Sequence, residues 1–192
     1  MLTEEQKLTN EQQYLELLAK LNVEIEPIIK YLDSVQYFEK PATAQYNGAY
    51  AGGLCEHALD LYNELAQLCN AYFPGTYSEE DIIKVSLFKD IYRAEMYEFY
   101  KKNVKNETTG QWEAVGAYRT KEERPVFGDL GFSSYMIAKN FISMSDEVIE
   151  AICYAALSGN YTVDIHNIRE KHPLITLTTM AEFASVYFLN RK

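Results

Sequence analysis

Apolar residues recur at helical spacing through most of the chain. Residues 3–20 are rich in Glu, Gln and Leu, with Leu17, Leu18 and Leu21 as a short apolar stripe, which predicts an N-terminal helix. Residues 23–33 carry Ile25, Ile28, Ile29 and Leu32, an i, i+3, i+4, i+7 set for a second helix. An irregular stretch over 38–53 follows, holding Pro41, Gly48, Gly52 and Gly53. Leu54, Ala58, Leu61, Leu65 and Leu68 then share one face of a helix over 54–72, which Pro74-Gly75 ends. Ser78-Glu79-Glu80-Asp81 is a capping-box signature. It predicts a helix running to about residue 99, with Ile82, Val85, Leu87, Phe88 and Ile91 turned inward.

The period then changes. Val104, Trp112, Val115 and Tyr118 flank Asn106-Glu107-Thr108-Thr109-Gly110, which predicts a β-hairpin within about residues 100–122. Residues 132–142 read as a short helix, and another runs from Asp146 to Ser158 between Ser145 as N-cap and Gly159 just past its end. Residues 161–170 read as irregular. The last helix starts at Pro173, a good first-turn residue, and reaches about Leu189. The fold class is therefore all-α: about seven helices with one inserted hairpin. The organisation expected is an N-terminal helix over 1–22 and a helical domain over 23–192, with the hairpin inserted at about 100–122.

Composition narrows the function classes. The 192 residues suit one domain, and 47% hydrophobic with 24% charged is ordinary globular composition. A chain of this size buries about 70% of its unfolded surface, so neither disulfides nor a structural metal is needed to fold it. The three cysteines, Cys55, Cys69 and Cys153, are widely spaced with no CxxC, which suits a reducing compartment and buried thiols rather than a zinc finger. The polar, acidic start MLTEEQKLTNEQQ does not read as a signal peptide, and no apolar run approaches the ~18 residues of a membrane span, so a cytoplasmic protein without a membrane partner is expected. Against 18 Lys and Arg stand 28 Asp and Glu, a net charge of −10. That field repels phosphate backbones and argues against general nucleic-acid binding, while a small anionic ligand in a locally basic pocket stays compatible with it. Tyr on a surface often marks a binding face, but many of the 16 tyrosines fall at helical spacing and read as core residues with a polar rim.

Chemistry has few places to sit. The histidines are His57, His166 and His172. His57 lies on the apolar face of its helix, a turn from Leu54 and a turn from Leu61, so it reads as a core histidine or as a ligand. It follows Gly52-Gly53, where a backbone can approach another group closely. Asp90 sits among apolar residues in Ser86-Leu87-Phe88-Lys89-Asp90-Ile91-Tyr92-Arg93. A carboxylate buried there needs a cation: Lys89, Arg93 one turn later, or a metal. Glu56 points to another face of the His57 helix and is expected at the surface. His166 and His172 lie in loop-like sequence and are expected exposed. Arg119, Lys121, Glu122, Glu123 and Arg124 form a mixed charge run, read as a solvated loop or a lid.

Gly52-Gly53-Leu54-Cys55-Glu56-His57-Ala58-Leu59, followed by Leu87-Phe88-Lys89-Asp90-Ile91-Tyr92-Arg93, resembles the HD-domain superfamily of metal-dependent phosphohydrolases. The resemblance covers about residues 25–190 and is strongest to phage-encoded members. Phe38 to Tyr50 is similar to their loop before the first site helix, and Tyr100 to Gly128 to their inserted hairpin and the loop after it. It implies an HD-like helical bundle. The family's metal site takes a His, an adjacent His-Asp pair and a distant Asp. His57 and Asp90 match the first His and the Asp of the pair. Lys89 stands where the pair has its His, and Glu182 where the distant Asp belongs. Further positions at which phage members carry His read Asn47, Asp129 and Ala155 here.

These departures have a common sense. An ammonium has no lone pair for a metal, but it can take the metal's electrostatic place among His57, Asp90 and Glu182. Without the ion there is no Lewis acid and no activated water for phosphate-ester hydrolysis. The reading is a degenerate HD-domain protein, a pseudoenzyme of phage origin in a host bacterial cytoplasm, that binds a nucleotide or a host protein. Arg93, Asn47 and Asp129 are its candidate ligand contacts, and neither cofactor nor catalytic residue is expected. The alternative is a phosphohydrolase with one Mn or Mg ion on His57, Asp90 and Glu182.

Overall fold

Helix α3 (Gly53–Tyr72) runs through the middle of the molecule. Leu54, Leu61 and Leu65, at helical spacing, are fully buried on it. Helix α1 (Glu4–Leu18), α4 (Glu79–Phe88) and α9 (Pro173–Phe183) pack around it. The remaining elements are α2 (Glu26–Ser34), a single 3₁₀ turn (Tyr37–Glu39), α5 (Arg93–Met96), β1 (Tyr97–Lys105), β2 (Trp112–Thr120), α6 (Leu130–Ala138), α7 (Asp146–Tyr154), α8 (Ile165–Lys171) and a π turn (Ala184–Phe188) that continues α9. The described residues of this computed structural model, 1–125, 127–155 and 165–189, thus hold nine α-helices, the 3₁₀ and π turns and one antiparallel hairpin. Among them no helix is long and apolar enough to cross a membrane.

Local chemistry starts these helices where side chains satisfy the free backbone N–H groups. Thr3 with Gln6 and Ser78 with Asp81 form reciprocal capping boxes at α1 and α4. Asp129 caps α6 and Ser145 caps α7. The apolar faces then meet in one cluster that includes Tyr14, Leu18, Ile28, Leu32, Leu61, Ile83, Leu87, Phe88, Ile91, Ile152 and Ile175. Each such aliphatic side chain contributes about 1.5–3 kcal/mol on burial. Tyr14 ties α1 to α4 as its buried hydroxyl donates to the Leu87 carbonyl at 3.1 Å. Cys55, Cys69 and Cys153 are all buried and unpaired. Burial pushes the Cys153 thiol up to about 12.

The largest departures from the sequence reading are at the end of α4, in the hairpin and at α8. The expected helix to residue 99 stops at Phe88. Lys89 still donates to Val85 four residues back, but Ile91, Arg93 and Ala94 donate to Phe88, Asp90 and Ile91, three residues back. This tighter winding carries the chain through Lys89–Tyr92 into α5, and extended backbone begins at Tyr97. The hairpin is correspondingly earlier, pairing Tyr97 with Thr120 at its base and Lys105 with Trp112 at its tip. Asn106 Oδ1 accepts from the Thr108 and Thr109 amides in the turn. The sequence reads as irregular over 161–170, yet Ile165–Lys171 is helical. Residues 161–164, and the expected helix end at Ser158 and Gly159, lie outside the described residues.

Candidate functional site

The start of α3 fixes the position of His57. Gly52, the N-cap, has φ +82°, a left-handed conformation that a side chain disfavours. At Gly53 a Cβ would lie 2.2 Å from the Gly48 carbonyl oxygen. The close approach inferred from Gly52-Gly53 is therefore to the chain's own loop. Leu54 N donates to Lys40 O and Ala42 N to Gly48 O, which binds that loop to the helix start.

His57 from α3, Lys89 and Asp90 from the tight turns after α4, and Glu182 from α9 converge in one buried centre. Lys89 Nζ donates to Asp90 Oδ2 at 2.8 Å and to Glu182 Oε2 at 2.9 Å. His57 Nε2 faces the same two oxygens, 3.3 Å from each. Arg93 Nε donates to the other Asp90 oxygen, Oδ1, at 2.7 Å, and Arg93 Nη1 to the Ala42 carbonyl at 2.8 Å. The Lys89 side chain is only 2% exposed. Two carboxylates are thus enclosed by an ammonium, a guanidinium and an imidazole.

The charges hold one another. Burial opposes ionisation of Asp90, but Arg93, Lys89 and His57 outweigh it and hold the carboxyl well below its usual range. Burial likewise opposes ionisation of Glu182, and Lys89 with His57 bring its carboxyl down to about 2. Burial disfavours the His57 imidazolium, yet Glu182 and Asp90 push it up to about 9. Lys89 is raised by the two carboxylates against its own desolvation.

His57, Asp90 and Glu182 each offer a ligand atom, and these atoms lie within 4.8 Å of one another. One imidazole and two carboxylates are a donor set that suits a divalent cation. The Lys89 ammonium changes that conclusion. It donates to Asp90 Oδ2 and Glu182 Oε2, the same two atoms that face His57, and it has no lone pair to offer an ion. A divalent ion on those oxygens would sit beside a buried positive charge. The Lys89 ammonium and a divalent ion would therefore compete for those two oxygens.

The other nominated residues lie around this centre. Asn47 Nδ2 donates to the Val186 carbonyl, fastening the loop before α3 to the turn after α9. Asp129 is exposed and its Oδ1 accepts from the Phe132 amide at 2.8 Å, so its observed contact is a helix cap. Ala155 is buried at the end of α7. Glu56 is a correction: it is buried rather than exposed, with the Tyr50 hydroxyl donating to its Oε2 at 2.5 Å. His166 is exposed, whereas His172 is half-buried with Nε2 3.3 Å from Glu150 Oε2. Arg119 lies on β2 beside Glu98, and Lys121 and Arg124 are half-buried rather than fully solvated. Sequence reasoning missed the buried Glu56–Tyr50 contact, for which the short separation of the two residues across Gly52-Gly53 was the available signal. No protein-family model, no curated protein and no solved structure matches the chain.

Proposed function

We propose that this chain is a non-hydrolytic, HD-like protein in which Lys89 takes the electrostatic place of a metal, and that it acts by binding, with a nucleotide or a host protein of a phage-infected cell as its partner. One observation carries the reading: the Lys89 ammonium bridges Asp90 Oδ2 and Glu182 Oε2 at 2.8 and 2.9 Å. A hydrolytic centre needs those oxygens for an ion that polarises phosphate and activates water. Here they are neutralised by a side chain that does neither. His57 is pushed up to about 9, so it is charged at neutral pH and is no general base there. The centre serves instead as a rigid cross-link of α3, α4 and α9 beneath whatever surface does the binding.

The test is turnover of nucleoside mono- and triphosphates with Mn²⁺, Mg²⁺ or Co²⁺ supplied. No phosphate release above the Asp90→Ala background is expected. Robust release that disappears in Asp90→Ala would replace this reading with a phosphohydrolase using one ion on His57, Asp90 and Glu182.

A further inference from the structure

Between the end of α2 and the segment after β2 lies a polar groove of about 330 Å³. Gln36, Lys40, Glu95, Lys121, Glu123 and Arg124 line it. We propose that this groove is an anion site that takes a phosphate or diphosphate group, with Lys40, Lys121 and Arg124 as its cations. The proposal goes beyond the binding role argued above and does not depend on the loss of hydrolysis at the buried centre.

Three observations meet here. First, Lys7, Lys20, Lys30, Lys84, Lys89, Arg93 and Arg119 each lie within ion-pair distance of a carboxylate. Lys40, Lys121 and Arg124 make no such pair among the described residues, although Glu95 and Glu123 line the same groove. Glu95 is turned to another partner, its Oε1 accepting from the Tyr31 hydroxyl at 2.7 Å. Second, the Arg124 Nε–H is buried and has no hydrogen-bond partner. A buried donor left unmade costs about 1–3 kcal/mol, so such a group points to an acceptor that the protein itself does not provide. Arg124 Nη1 donates to the Lys121 carbonyl at 2.7 Å, which holds the guanidinium in place. Third, burial and the neighbouring Lys121 ammonium both lower Lys40. Two ammonium groups close enough to repel each other in a protein of net charge −10 are relieved by a bound anion.

The scaffold holds these groups firmly. Gln36 sits at φ 54°, Lys40 O accepts from Leu54 N at the start of α3, and Lys121 N donates to Met96 O at 2.8 Å. A phosphate oxygen suits the fixed, planar guanidinium better than a carboxylate on a mobile side chain does, and two ammonium groups match a second charge.

The experiment is calorimetric titration of the full chain with inorganic pyrophosphate at low ionic strength. Binding is expected for the wild type, and the pair Lys40→Gln with Lys121→Gln should weaken it by about tenfold or more. Lys101→Gln with Lys102→Gln removes the same charge from the exposed hairpin strand and should leave affinity within about twofold. Lys89→His should bind pyrophosphate as the wild type does, which separates this groove from the buried centre. If the groove pair does not fold, Arg124→Gln removes the unpartnered donor and carries the same expectation. Absence of binding by the wild type, or equal loss in the groove and hairpin pairs, would overturn the proposal.

Discussion

Lys89 Nζ donates to Glu182 Oε2 at 2.9 Å, joining two residues 93 positions apart in the chain. The same ammonium donates to its sequence neighbour Asp90 at 2.8 Å. One side chain therefore closes the centre between α4 and α9, and His57 completes it from α3.

Removing that ammonium should be expensive. Lys89→Ala leaves two buried carboxylates with less compensation, and breaking a buried pair from one side typically costs ~3–5 kcal/mol. The double variant Lys89→Met with Glu182→Met removes one charge of each sign and fills the space with apolar atoms. It should be more stable than Lys89→Ala, because no uncompensated charge is added. Urea unfolding of the variants measures this. A cost for Lys89→Ala below about 1 kcal/mol, as for an exposed pair, would show that Lys89 does not hold the centre.

The centre also sets a pH profile. Glu182 titrates near 2 in the fold against 4.5 for the ordinary group, and Asp90 is lowered too. Carboxylates with lowered values contribute stability that is present above their unfolded values and lost as pH falls through the folded ones. The acid limb should therefore steepen between about pH 4.5 and 2. His57 titrates near 9 in the fold against 6.5 ordinarily. Its contribution is complete below pH 6.5 and is lost as pH rises to about 9. Unfolding free energy against pH should show both limbs, with Glu182→Gln flattening the first and His57→Phe the second. Limbs unchanged in those variants would place the titrating groups elsewhere.

Gly53→Ala tests how the start of α3 is held. Its Cβ would sit 2.2 Å from Gly48 O, a backbone atom that cannot swing away. A loss of about 1–3 kcal/mol, the range for overpacking, is expected by thermal or urea unfolding. Gly75→Ala meets nothing within 4 Å but has φ +75°, so only the conformational cost of about 1 kcal/mol applies. Gly53→Ala no worse than Gly75→Ala would mean that the loop holding Gly48 yields freely.

Helix starts were legible because their signals are local. Ser78 with Asp81, Ser145 and Pro173 mark them within a few residues, and α3 follows its apolar face from Gly53 to Tyr72. The end of α4 was not legible. Apolar spacing continues through Ile91 with neither Gly nor Pro, and the chain leaves the helix where Lys89 reaches Glu182 and the adjacent Asp90 meets His57 across the fold. Tyr97 to Tyr100 reads equally well as helix or strand, and only pairing with residues 117–120 decides it. Spacing singles out His57, Lys89 and Asp90, the family resemblance adds Glu182, and the structure brings the four together. Convergence of Lys40 with Lys121 and Arg124 depends on where the hairpin returns, which no local pattern encodes.

The central claim is that a lysine stands where a metal would. The most direct measurement is calorimetric titration of Mn²⁺ or Ni²⁺ into the wild type and into Lys89→His, each paired with a melting curve. Lys89→His places a neutral nitrogen donor beside His57, Asp90 and Glu182. The ion should bind it and raise its melting temperature through linkage, while the wild type shows little of either. A wild type that binds the ion as tightly as Lys89→His would contradict the claim and make the hydrolytic reading the better one.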